Sequence, residues 1–98
     1  MDSFNIATII IDNPRTPQAV REEVRGLISR VCQMRSETLE LKDFIKSVAN
    51  TDFSLWTKRE SALSMLQSQR DAVEKSTRLY HEMGLLNMDI FRYAERYL

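Results

Sequence analysis

The chain is 98 residues long and carries fourteen Lys and Arg against fourteen Asp and Glu, a net charge of zero. That balance leaves out the globally basic footprint of a duplex-DNA binder, and the length allows one domain with a lean core. Two Gly and two Pro argue for long uninterrupted elements, and the single cysteine, Cys32, excludes an internal disulfide and suits a reducing cytosol.

Residues 1–15 read as an N-terminal arm. The apolar stretch from Phe4 to Ile11 is short, broken by Asn5 and Thr8, and has no basic leader. Neither a signal peptide nor a membrane span is expected, which predicts a soluble cytoplasmic protein. Phe4, Ile6 and Ile9 to Ile11 are β-branched or aromatic, so the stretch is either a short helical turn or a strand that adds to another subunit. Asp12-Asn13-Pro14 closes it with turn chemistry.

Thr16-Pro17 predicts a helix start, with Thr16 as N-cap and Pro17 at the first helical position. The first long helix is expected over 16–49. Its signature is a seam alternating four and three residues apart: Val20, Val24, Leu27, Val31, Met34, Thr38, Leu41, Ile45 and Val48. Eight of these nine are apolar, the pattern of a helix that packs lengthwise against another. Asn50-Thr51-Asp52 ends it, and Phe53 and Trp56 are expected to plug the hairpin end.

Thr57-Lys58-Arg59-Glu60 reads as a capping box. A second long helix follows over 57–83, with the seam Ala62, Leu66, Gln69, Val73, Ser76, Tyr80 and Met83. Its polar members suit a role in register rather than stability. Gly84 is a natural terminator and Asn87 a cap for a third helix over 87–98, with Ile90, Phe91, Ala94 and Leu98 inward. The rival reading is one helix through Gly84 to the C-terminus.

The fold class is therefore all-α: a long antiparallel helical hairpin, coiled-coil-like, with a short third helix and an N-terminal arm. Apolar residues also lie off the seams, at Ile28, Leu39 and Phe44 on the first helix and at Leu63, Met65 and Leu79 on the second. Such wide faces predict a homo-oligomer, with Val24, Leu27, Val31, Met34, Leu41 and Ile45 in the core or the subunit contacts. In a parallel dimer of the first helix Glu37 would meet Lys42, which attracts, whereas Arg30 would meet Arg35, which repels. Either the pairing is not parallel or those arginines gather around an anion.

No catalytic constellation is present. His81 is the only histidine, so neither a metal site nor a cofactor is expected, and it reads as an ordinary surface residue. Cys32 reads as a small, partly buried hydrophobe. The sharpest ligand candidate is the C-terminal segment. On a helix Arg92 and Arg96 stack one turn apart, and so do Tyr93 and Tyr97. Guanidinium groups suit phosphates and tyrosine rings stack on nucleobases. The structural alternative pairs Arg92 with Asp89 or Glu95 and places cations at a helix C-terminus. Arg30 and Arg35 are the next candidates.

Leu41-Lys42-Asp43-Phe44-Ile45-Lys46-Ser47, then Phe53, Trp56-Thr57, Leu63, Leu66 and Gln69, resemble a class of small phage-encoded helical-hairpin accessory proteins over roughly residues 24–82. The connector here is longer than theirs, and Tyr80 falls later than the tyrosine of the pattern. The resemblance implies an accessory protein, not an enzyme, in the cytoplasm of a host. The leading expectation is an oligomeric, non-catalytic binder that neutralises a host component, either a host protein or a nucleotide defence signal. The alternative is a structural adaptor that binds a partner helix in a larger assembly.

Overall fold

The computed structural model describes residues 3–98, so Met1 and Asp2 of the expected arm lie outside the described residues. Among the described residues there are three α-helices and one short 3-10 turn, and no strand. Helix α1 spans Ser3–Asp12, α2 Gln18–Ala49 and α3 Arg59–Tyr97. At 32 and 39 residues, α2 and α3 are about 48 and 58 Å long. Paired antiparallel they form a rod of 65 × 18 × 16 Å. The radius of gyration is 19.3 Å, against about 13 Å for a compact domain of this length.

All nine seam positions of α2 face inward. Val24, Leu27, Val31, Thr38 and Val48 are buried, and Val20, Met34, Leu41 and Ile45 are half-buried. Thr38 satisfies its hydroxyl within the helix, donating to the Arg35 carbonyl at 2.8 Å.

In place of separate helices over 57–83 and 87–98, α3 is continuous. Gly84 keeps a negative φ, so it does not terminate the helix. A mid-helix glycine costs about 1 kcal/mol. Burial of Met83, Leu86 and Ile90 around it outweighs that, at about 1.5–3 kcal/mol for each large apolar side chain. Continuity also sets the phase of the seam. Counting back from Ile90 by four and three gives Leu86, Met83, Leu79, Ser76, Ala72, Gln69, Met65 and Ala62, and all of these are buried or half-buried. The expected seam is right at Ala62, Gln69, Ser76 and Met83. It is one residue late at Leu66, Val73 and Tyr80, which are exposed. Gln69 reaches across the hairpin and its Nε2 donates to the Ile45 carbonyl at 3.0 Å, pinning one helix to the other.

The arm is the third helix of the bundle. Neither strand nor inter-subunit addition is needed, because Ile6, Ala7 and Ile10 make one apolar ridge that docks on the chain's own hairpin. Tertiary burial overrides the weak helix propensity of the isoleucines. Ile6, Ala7, Ile10, Val24, Leu27, Val31, Leu86 and Ile90 form the core, and the side chains of Ile10, Val24 and Ile90 are fully enclosed. Asn13 clamps the end of α1. Its Nδ2 donates to the Tyr97 carbonyl at 3.1 Å, its carbonyl accepts from Arg21 Nη2 at 2.8 Å, and its Oδ1 accepts from the Arg15 amide. α1 therefore runs beside the last turns of α3 in the same direction, against both long helices.

Two expected caps are displaced by one residue. Pro17, with ψ of 148°, is still extended, so α2 starts at Gln18 and buried Thr16 makes no cap bond. Lys58 is extended at the N-cap of α3, which moves Glu60 off the position that a capping box needs. Between the long helices, Asp52 accepts from the Ser54 amide at 3.0 Å and its hydroxyl at 2.6 Å. These bonds, the side-chain one first, hold its carboxyl below its usual pKa. Phe53 and Trp56 stack edge to face at 4.8 Å; Phe53 is half-buried and Trp56 exposed.

Candidate functional site

The seam divides the rod into two unlike flanks. On the first, at the terminal end, the C-terminal candidates meet. Glu23, Asp89, Arg92, Tyr93 and Arg96 line a cleft of about 350 Å³. Tyr93 and Tyr97 stack with ring centroids 6.4 Å apart, and the Arg96 guanidinium lies 5.8 Å from the Tyr97 ring centre. Arg92 is 3.4 Å from Asp89, an exposed pair of small energetic weight. The Tyr93 hydroxyl is hydrogen-bonded to the Glu23 carboxylate. That bond, with burial and the nearby negative charge of Glu23, pushes its pKa up to about 12. Two carboxylates thus share the cleft with two guanidinium groups, and the phenol is engaged. An anion entering it meets as much negative as positive charge.

Arg30 and Arg35 do not join this cluster, nor each other. Five residues apart on a helix, they point about 140° away from one another. Arg30 is exposed, and Arg35 lies on the opposite flank. His81 is exposed, and so is Cys32, which follows Val31 out of the seam instead of being partly buried.

The opposite flank carries the feature that motif reading missed. There a groove of about 390 Å³ is lined by Arg35, Thr38, Leu39, Tyr80, Gly84 and Asn87, with Val31 and Met83 at its floor. Near the termini α1 lies in this groove, and Ile28 and Ala94 are half-buried against the core it completes. Beyond α1 the positions that continue the Ala94 row of α3 are bare: Tyr80 is 59%, Val73 45% and Leu66 44% exposed, with Leu63 at 52% and Leu39 at 56% one step further out, a step at which Phe91, expected inward, is 42% exposed beside α1. Arg35, Lys42 and Lys46 of α2 and Arg59 and Arg70 of α3 border the stripe, all exposed. Arg70 leans on Glu74 at 3.6 Å. No Asp or Glu of either long helix occupies a position on this flank. All eleven of theirs fall on the outer faces or the first flank. Part of the signal was present in the sequence among the residues that follow seam positions, in Arg35, Lys42 and Lys46 on α2 and in Leu63, Leu66, Val73 and Tyr80 on α3.

Among the described residues no group of three or more His, Cys, Asp or Glu could hold a metal ion, and no helix is long and apolar enough to cross a membrane. No protein-family model, curated protein or solved structure matches the chain.

Proposed function

We propose that the protein is a non-catalytic helical adaptor whose open groove receives a helix of another protein. What supports this reading is the change along one row of α3, where Ala94 is half-buried beside α1 and Tyr80, Val73 and Leu66 are bare beyond it. The bare side chains recur three and seven residues apart along α3, the spacing with which a helix lies lengthwise on another. An apolar row of this kind, rimmed by charge, marks an interaction surface, and a helix laid in a groove is the recognition mode it suits. In the accessory role that the hairpin resemblance implies, that helix belongs to a host protein. The charge balance of the terminal cleft gives the nucleotide alternative less support.

A photo-crosslinking residue placed at Val73, and separately at Arg78 on the first flank, tests the reading in the native cells. The expected result is a crosslink from position 73 to a different polypeptide and none from position 78. Crosslinks from 73 only to a second copy, or equal yields from both positions, would refute the adaptor.

A further inference from the structure

We infer that the helix received by the open groove is acidic and amphipathic, about 17 residues long, and seats end to end with α1. This deepens the adaptor reading and rests on it. The length follows from the stripe: Leu63 to Tyr80 spans about 26 Å at helical rise, and beyond Tyr80 the groove runs to Asn87, where α1 takes over.

The charge of the partner follows from the borders. Arg35, Lys42 and Lys46 project from α2 on this flank, and none has an ion pair among the described residues. A helix laid between them and the apolar row of α3 brings its own flanking residues against these cations. Glutamate or aspartate there is attracted, while lysine or arginine is repelled. The chain supplies its own precedent. α1, the helix already in this groove, contains no Lys or Arg, and its one charged residue is Asp12. A second copy is a poor occupant on the same argument. Two protomers meeting through this flank would bring two cationic borders into one interface, with no carboxylate on either long helix there to offset them.

The test is selection on the intact protein from a displayed library of helices of about 17 residues. Each keeps an apolar stripe at alternating three and four spacing, with flanking positions randomised among Glu, Lys, Gln and Ser. The expected recoveries carry Glu on both flanks. Their synthetic versions should bind less tightly as salt rises and about tenfold or more weakly to the Lys42→Glu/Lys46→Glu protein. Val73→Asp should abolish binding. All three substituted positions are exposed, and unchanged helicity by circular dichroism checks that the variants fold. Recovery of lysine-flanked helices, or of helices with no charge preference, would overturn the acidic partner and leave the adaptor standing. Failure to recover any helix would overturn both. So would binding of phosphatidylserine-containing vesicles, or a dimer in sedimentation, that Val73→Asp removes.

Discussion

The two ends of this rod are built from the same hairpin and differ in one respect. At the terminal end a third helix lies over the seam, and Ile10, Val24 and Ile90 are sealed from solvent. At the loop end only two helices meet, and the equivalent seam residues Leu41, Ile45, Met65 and Gln69 remain half-exposed. Two cylinders touch along a line, so most long seam side chains there keep an edge in solvent, although Thr38, Val48 and Ala72 are covered. A third cylinder closes that edge. The comparison teaches that ten residues of α1 convert a stripe into a core, and that the loop end lacks the helix that would do the same.

The largest test of that contrast is core truncation. Ile10→Ala or Ile90→Ala should destabilise by about 2–5 kcal/mol, the range for a fully enclosed aliphatic side chain. Leu41→Ala should cost about 1–2 kcal/mol, since a half-exposed side chain has less area to lose. Equal shifts in urea midpoint for the two ends would dissolve the distinction. Native-state hydrogen exchange sharpens it. Amides of 62–72 should open at lower free energy than those of 83–94, and uniform protection along α3 would count against two unequal ends.

A smaller effect of opposite sign is expected at the boundary between the ends. Gly84 is helical, and the place a Cβ would take there has no neighbouring atom within 4 Å. Gly84→Ala should therefore stabilise by about 0.5–1 kcal/mol, and a lowered melting temperature would contradict a helix that runs straight through.

The smallest effect belongs to the terminal cleft and is confined to alkaline pH. Folding raises the Tyr93 pKa from 10.0 to about 12, so the folded state holds the phenol proton more tightly. The resulting stability is fully present below pH 10, where Tyr93 is neutral in both states. It is lost as pH rises from 10 through 12. In an ultraviolet titration Tyr93 should ionise near pH 12. Glu23→Gln should bring its pKa down, and an unmoved titration would show that Glu23 is not the cause.

Much of the fold is legible in the residues. The α2 seam can be read by eye because eight apolar residues in strict alternation leave no second phase to choose. On α3 every second seam step offers two apolar neighbours, Met65 or Leu66, Ala72 or Val73, Leu79 or Tyr80. Local hydrophobicity does not rank them, and the larger residue of the Ala72–Val73 pair is the one left outside. The choice is made at a distance, by Leu86 and Ile90, and is visible only if Gly84 is read as helical. The arm misled for a related reason: three consecutive isoleucines favour a strand locally, and only the hairpin they dock on makes them a helix. The C-terminal cluster of Arg92, Tyr93 and Arg96 could be placed from helical spacing. Glu23, which engages Tyr93, comes from 70 positions earlier in the chain, as their numbering shows.

The unbroken α3 also constrains how this chain can vary in length. One residue added or removed between Val73 and Ile90 turns everything beyond it by about 100°. The bare stripe and the enclosed core would then no longer sit at their present angle around the rod, and α1 would dock beside the groove instead of in line with it. Insertions are compatible with both surfaces only as whole heptads, matched by an equal change in α2 so that Gln69 still finds the Ile45 carbonyl. Related chains should accordingly differ in rod length by discrete steps, with the loop at 50–58 free to change and the spacing from Leu63 to Ile90 held or shifted by full repeats.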